Sequence, residues 1–539
     1  MMPGCRIVAR LSGLRGVVRA LEDDSRMAQN FVGCDRGQVM LLPPSLTDWL
    51  EEDHLVWTVI GAVEQMNLDR FYGAYRANGQ GRAAYDPQMM IALLLYAYCL
   101  GVRSSRRIER ACRSDVAFKV ITAMEEPDHS TIAEFRRRHQ DAIGELFVEV
   151  LTLCAEAGLV TLGEVAVDGT KMLANASLDR NRRYESIVEE ILAQAEQADR
   201  EEDEQHGEAR GDELPPQLQT RDQRREALKA ARERMQAERA ARLEAGEEVI
   251  ERVELELVPE RFVTRPEGRR AWHREGRRVL DAVRDEQALP IPRGRADRIA
   301  EVKRRFDEEL AYLHAADRCY EHYRTGRTRD GRRYGDRKGK EWDAPLVPEG
   351  KINSTDPDSR VMVQRGYGTL QAYNAQAAVT AGQIVIAAEV TTYAPDFGQL
   401  EPVLNAAYRD LERAGVTDRA GTVLADTGYW HKEQMERIVA EGSVVLVPPD
   451  GGLRSDTRPG WDKGMFAFMR RVLATDRGRE LYSLRRQTVE PVFGQIKGNR
   501  GIDRFQRRGR AAARSEWRLI TATHNLLKLH SHWTTPATG

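Results

Sequence analysis

The sequence predicts an α/β chain in which an all-α region comes first and a long, charged helical segment interrupts the sheet-bearing part. Three observations carry that prediction. Between about residues 45 and 158 apolar residues recur at helical spacing, whereas beyond 159 short apolar runs alternate with helical patterns. From about Asn181 to Lys340 the apolar residues thin out and Glu, Arg, Ala, Asp and Gln take over. The expected boundaries are a disordered or extended leader over 1–44, a helical region over 45–158, a sheet-bearing region made of 159–180 and 345–530, and an insertion over 181–344. With 539 residues, 41% hydrophobic and 31% charged, the chain can hold two or three domains with real cores.

Taken in order, residues 1–26 are rich in Arg and Val and lack the apolar core of a secretory signal, so Met27 or Met40 is the expected functional start. Thr47-Asp48 is expected to cap a helix through Trp49, Leu55 and Ile60; Asp86-Pro87 starts a nearly all-apolar one that Gly101 ends. Three short helices follow near Ser104–Cys112, Asp115–Ala123 and Thr131–His139, the last with a Thr131-x2-Glu134 capping box. They carry Arg106, Arg107, Arg110, Arg136, Arg137 and Arg138, a helix-turn-helix-like set of cations for DNA phosphates, or equally a solvated basic face. After a strand at Val165–Asp168, helices are expected over Arg182–Asp203, Thr220–Ala245 and Ala296–Arg324, loosely packed because their apolar stripes are sparse. A basic run, Arg324–Lys340, closes the insertion as a nucleic-acid contact or a charged linker. The sheet resumes with a hairpin, Tyr373–Thr380 and Gln383–Thr392, then a helix over Glu401–Ala414, a strand ending at Asp426, a helix over Lys432–Glu441 and a strand over Ser443–Val447.

Chemistry gathers at three carboxylates. Asp168 and Asp426 each end an apolar strand pattern and precede Gly or Thr-Gly, the place where open α/β sheets hold ligands, although Asp before Gly is also ordinary turn chemistry. Glu490 lies between Arg486 and Lys497, four and seven residues away, so a continuous helix would present all three on one face. A surface salt-bridge ladder has the same spacing. Pro491 disturbs such a helix, and Thr488 is the expected cap of a new one, with Arg486 before it. Asp356, Asp358 and Arg360 are candidates for orienting a substrate or for an Asx turn.

Asp168, Asp426 and Glu490, with Arg486 and Lys497 about the last, resemble the Asp-Asp-Glu triad and the Arg-x3-Glu-x6-Lys signature of DDE transposases from bacterial insertion elements, in the Tyr/Arg/Glu/Lys-signature branch with a helical N-terminal domain. Leu42–Leu50, Thr355–Arg360 and His524-Asn525-Leu526-Leu527 add to the likeness. One position departs: the signature has Tyr seven residues before the Glu, where this chain has Ser483, with Tyr482 one place earlier. The resemblance implies a ribonuclease-H-like catalytic domain interrupted by the insertion and preceded by an all-α DNA-binding domain.

It also implies two Mg²⁺ ions, with Mn²⁺ as substitute, roughly 4 Å apart on Asp168, Asp426 and Glu490. Arg486 and Lys497 would hold phosphate. Read from the residues themselves, Trp430 is a candidate to stack on an extruded base or a core or lid residue, and the basic tract Arg500–Arg518, with Arg504, Arg507 and Arg508 ahead of an apolar helix expected over Leu519–Leu529, either guides the strand or is a solvated helix face. The implied reaction is hydrolysis at the element ends followed by transesterification into target DNA, by a homodimer that pairs two terminal inverted repeats. A nuclease of the same fold without strand transfer, and a DNA-binding or scaffold protein with an idle triad, are the alternatives. A formal net charge of −2 argues for no polyanion by itself; six cysteines with no Cys-x2-Cys pair fit free thiols in a reducing compartment; no apolar run spans a bilayer. The expected location is the cytoplasm, at the nucleoid.

Overall fold

The computed structural model describes residues 31–33, 35, 45–76, 83–184, 186–190, 193, 197, 269–287, 289–292, 294–325, 350–364, 366, 368–450 and 463–534. Most of the expected leader, the helix expected over Thr220–Ala245 and nearly all of the basic run Arg324–Lys340 lie outside them. Among the described residues the first part of the chain is helical: α1 (Leu55–Gln65), α2 (Pro87–Cys99), α3 (Ser105–Ser114), α4 (Val116–Thr122), α5 (His129–Arg138) and α6 (Gln140–Glu156), with a single helical turn over Asp69–Tyr72 between α1 and α2. The central one, α2, starts as expected, with Asp86 accepting from Gln88 N at 2.8 Å and Pro87 in the first turn, and every residue of it but Gln88 is buried. Gly101 leaves it at φ 72°, so close to the chain opposite that an added Cβ would stand 2.2 Å from Arg500 O.

Two helix starts in this first part differ from expectation. Leu50 is extended (φ −131°, ψ 148°), which detaches a single turn, Leu46–Trp49, and delays α1 to Leu55, where His54 Nδ1 accepts from Val56 N. Asp128, not Thr131, caps α5: its Oδ1 takes Ser130 N and Thr131 N, both at 2.8 Å, because a carboxylate is at least as good an N-cap acceptor as the hydroxyl three residues on.

The main sheet has six strands: β1 (Glu164–Leu173), β2 (Arg360–Gln364), β3 (Gly368–Thr380), β4 (Val385–Thr391), β5 (Thr422–Ala425) and β6 (Val444–Leu446). Their order is β6-β5-β1-β3, with β2 and β4 sharing the outer edge of β3; β6, β5 and β1 run parallel, and β3 runs antiparallel to β1, β2 and β4. This mixed α/β order is compatible with a ribonuclease-H-like fold. No described helix is long and apolar enough to cross a membrane. The described cysteines 99, 112, 154 and 319 are buried and form no disulfide with one another.

Between β1 and β2 come α7 (Arg269–Gln287), which the sequence reading lacks, and α8 (Arg295–Thr325). They are not loosely packed. Trp272, Val279 and Leu280 of α7 meet Tyr312, Ala315, Ala316 and Cys319 of α8, and Gly276 allows an approach in which an added Cβ would stand 2.9 Å from Ala316 Cβ. Ile299, Val302 and Phe306 on α8 pack on Tyr184, Ile187 and Ile352.

After the sheet resumes come α9 (Leu400–Arg413), α10 (Lys432–Ala440), α11 (Gly464–Ala474), α12 (Asp476–Thr488), α13 (Glu490–Gly494), which runs into a π turn over Gln495–Asn499, and α14 (Arg510–Thr534). Helix α14 begins well before the expected Leu519 and joins both layers. Ser515 Oγ donates to Gln140 O (2.5 Å) and Arg518 Nε to Gly144 O (2.9 Å) on the α6 side, while Trp517 Nε1 donates to Gln376 O (2.9 Å) in β3. Asn525, fully buried, accepts from Val385 N at 2.8 Å and donates to Val385 O at 2.7 Å, standing in for a neighbouring strand at β4. The N-terminal helices and the sheet therefore share one continuous core.

Candidate active site

The parallel pairing of β1 with β5 puts Val167 opposite Ala425, so the next residues, Asp168 and Asp426, leave the paired part of both strands side by side. Asp168 does not end its strand as expected; β1 runs on against β3, with Asp168 opposite Ala377. It ends the pairing with β5, and that is what opens the site. Asp426 caps a short turn over Thr427–Tyr429 by accepting Gly428 N at 2.8 Å, and Asp168 accepts from Gly169 N at 2.8 Å.

The third carboxylate comes from the α12–α13 connection, where the expected break does not occur. Thr488 caps nothing: its hydroxyl donates to Leu484 O at 2.7 Å. Val489 stays helical (φ −95°, ψ −34°), Val489 N donates to Arg485 O and Phe493 N to Val489 O, while Pro491 falls in the first turn of α13, where its missing N–H does least harm. The helical path thus carries through Glu490, and it decides which arginine faces the site. That residue is Arg485. Its Nη2 lies 2.8 Å from Asp168 Oδ2 and 4.0 Å from Asp426 Oδ2, and its Nη1 lies 3.5 Å from Glu490 Oε1.

Arg486 is exposed, so the single face expected for Arg486, Glu490 and Lys497 is corrected by one residue. Tyr482 and Arg485 keep the Tyr-x2-Arg spacing of the signature, one residue farther from the Glu. Lys497, in the π turn, donates to Lys171 O at 2.7 Å, and burial pushes its ammonium down to about 8. Burial pushes the Asp168 carboxyl up to about 7, helped by Asp426 and Asp396 and opposed by Arg485.

Asp396, absent from the sequence reading, stands behind the triad. Its Oδ1 accepts from Asn374 Nδ2 (2.7 Å) and Gln376 Nε2 (2.8 Å) and lies 3.6 Å from Lys171 Nζ. Tyr429 Oη donates to Gln376 Oε1, which ties this network to the turn after Asp426. Gly169 makes room for it: an added Cβ would lie 2.3 Å from Gln376 Nε2 and 2.6 Å from Asp396 Oδ1. The available signal was Asn374 and Gln376 alternating within Ala372–Val379, a stretch whose other residues are Ala, Tyr and Val.

The donor set suits a hard divalent cation: three carboxylates, no sulfur or imidazole, gathered round one positive group. As placed, however, no group of three Asp, Glu, His or Cys among the described residues is close enough to hold a metal ion; the Arg485 guanidinium occupies their common centre.

The other expected contacts divide by partner. Arg106 and Arg107 are exposed on α3. Arg136 is buried and donates to Tyr98 Oη (3.2 Å), Arg103 O (2.8 Å) and Ser105 Oγ, so a DNA-facing role is corrected to a fold-holding one. Arg137 is exposed but forked onto Glu134, and Arg138 donates to Ala74 O and lies over the Tyr75 ring. Arg504 and Arg508 are exposed, Arg508 donating to Asn175 O at 3.0 Å; Arg507 turns inward to Gln140 Oε1 at 2.6 Å. Trp430 packs on Phe466 at 4.6 Å between ring centres and is only half-buried. Asp356 and Asp358 hold the fold: Asp356 takes Tyr373 Oη and Gly509 N, and Asp358 takes Arg305 and Arg510 N.

Two family models match this sequence. A transposase domain (DUF772) matches residues 44–138, the span of α1 to α5, and a transposase DDE domain matches residues 453–530, which includes Glu490; Asp168 and Asp426 lie outside both spans. No curated protein and no solved structure matches.

Proposed function

We propose that this chain, which belongs to the DDE transposases of insertion elements, binds the terminal inverted repeats of its own element, cuts the DNA there and joins it to a target. The single observation that supports this reading is the meeting of Asp168, Asp426 and Glu490, from two adjacent strands and a distant helix, on one guanidinium. Asp168 and Asp426 are set by the sheet, and Glu490 by the unbroken helical path from α12. In this reading these three carboxylates hold two Mg²⁺ ions, or Mn²⁺ in their place. Divalent ions bound there supply Lewis acidity at the phosphodiester and a lowered pKa for the attacking water or DNA 3′-hydroxyl.

The rest is done by the chain. Arg485 is the cation nearest the triad and presents two N–H edges to a phosphate oxygen. Asp396, Gln376 and Tyr429 keep the Asp168 strand and the Asp426 turn at a fixed separation. Exposed Arg106, Arg107, Arg504 and Arg508 supply sequence-independent phosphate contacts, and synapsis of two ends asks for at least two copies of the chain.

The test is cleavage and joining of labelled DNA carrying the element's ends with Mg²⁺, for the intact protein and Glu490→Gln. Joined product that disappears in the variant, with end binding kept, is the expected result. Cleavage without joining would make the protein a nuclease of this fold; binding without either would make the triad idle.

A further inference from the structure

Among the described residues one guanidinium is the only ion-pair partner of the three carboxylates, since Lys171 pairs with Asp396 and acts on Asp168 and Asp426 only from farther off. Only the Asp168 contact is at hydrogen-bond distance; Asp426 and Glu490 are held at 4.0 and 3.5 Å, with side chains 41% and 53% exposed, while that of Arg485 is 12% exposed. Arg485 Nε is buried with no hydrogen-bond partner, so the group does not sit in a complete cage of acceptors. It fills the place where the carboxylates converge without satisfying them or itself. Its backbone lies in the last turn of α12, and the long side chain can swing while the helix stays fixed.

We propose that Arg485 is a positioning residue that holds the metal-free triad together as an exchangeable counter-cation, gives way when a divalent ion enters, and turns its fork to the DNA phosphate. This rests on the metal-binding reading of the triad given above. Arginine and metal compete for the same oxygens, so the work of displacing the guanidinium is subtracted from the metal's affinity. A second consequence follows from geometry. On this proposal the displaced fork, still anchored on the helical path that carries Glu490, is the cation nearest an entering phosphate. The metal then binds best where DNA is present to receive the guanidinium, which makes metal and DNA binding mutually reinforcing.

The experiment measures Mn²⁺ binding to the full chain without DNA, by the paramagnetic resonance signal of free Mn²⁺, for the native protein, Arg485→Gln, Arg486→Gln and Asp168→Asn. Arg485→Gln is expected to bind Mn²⁺ about tenfold more tightly while losing strand cleavage, and Arg486→Gln, one residue away and exposed, to bind as the native protein does. Damage to the fold could only weaken binding, so tightening separates exchange from a merely structural role. The rise in Tm with Mn²⁺, larger in Arg485→Gln than in the native protein, is the second readout. Equal or weaker binding by Arg485→Gln, with an Asp168-dependent site present in the native protein, overturns the exchange and leaves the metal reading standing. Mn²⁺ binding that is missing, or unaffected by Asp168→Asn, overturns both.

Discussion

Arginine meets carboxylate in two clusters of this molecule, and the two are built differently. Where α7, α8 and the loop before β2 come together, Arg305 lies on Glu301 (2.6 Å) and Asp358, Arg284 on Glu308 (3.1 Å) and Glu309 (3.4 Å), and Arg360 on Glu309 (3.1 Å) and Pro357 O (2.8 Å). Asp358 also takes Arg510 N at 2.7 Å. Donors and acceptors are nearly matched there. At the triad one guanidinium faces three carboxylates and reaches a single one within 3 Å. A saturated cluster spends its charges on holding helices to the sheet; an unsaturated one leaves oxygen lone pairs free for something outside the chain.

The largest expected effect comes from removing one cation from each cluster. Arg305→Ala takes from buried Glu301 and Asp358 a cation that both share, leaving Arg304 on the first and the Arg510 N–H on the second, and is expected to cost about 3 kcal/mol in denaturant unfolding. Arg485→Gln is expected to cost less, about 1–2 kcal/mol, since Asp426 and Glu490 are partly solvated and the buried Asp168 carboxyl, already pushed up to about 7, takes a proton readily when its partner leaves. Equal costs would erase the distinction.

Acidity gives the next effect. Because burial holds the Asp168 carboxyl up at about 7 from an unfolded value of 3.8, its contribution to stability is fully present below 3.8 and is lost as pH rises to about 7. The metal-free protein is therefore expected to lose roughly 1–3 kcal/mol over that interval, and Asp168→Asn to flatten this part of the profile. A profile unchanged by the substitution would mean that the triad carries no unmet charge.

A smaller effect is expected at Gly169. Gly169→Ala pushes a methyl into the Asn374, Gln376 and Asp396 side chains and should cost about 1 kcal/mol, while strand cleavage falls about 10- to 100-fold because the Asp168 strand and the Asp426 turn lose registry. Stability and cleavage falling in proportion would make the network structural only. Smallest is Arg137→Ala, already forked onto Glu134: no measurable change in Tm, and a salt slope of DNA binding shallower by about one if that face contacts phosphate.

Much of this was legible in the sequence because it depends on neighbours a few residues away. Asp86-Pro87 and Gly101 bound α2, the Ala381-Gly382 hairpin joins β3 to β4, and the apolar runs before Asp168 and Asp426 become adjacent strands. What was illegible depends on distant partners. Arg485 and Arg486 are alike until the helical path through Pro491 points one inward. Asp396 reads as a turn residue after Pro395; its role appears only when Asn374 and Gln376 meet it from another strand. Arg136, Arg507 and Arg518 look like cations for DNA, yet carbonyls and side chains far along the chain take them: Arg103 O, Gln140 and Gly144 O. Charge pattern reveals a cation but not its acceptor.

The tie made by α14 has a consequence for chain length. Arg518 reaches Gly144 across 374 residues and Asn525 reaches Val385 across 140. The entropy of closing a loop rises only with the logarithm of its length, about 0.6 kcal/mol for each doubling. As far as loop closure is concerned, the stretch between Asp168 and Asp426 can therefore lengthen by a whole helical segment for less than the worth of one buried hydrogen bond. Speed is what long separations take away, since such contacts close last and the core is sealed late in folding.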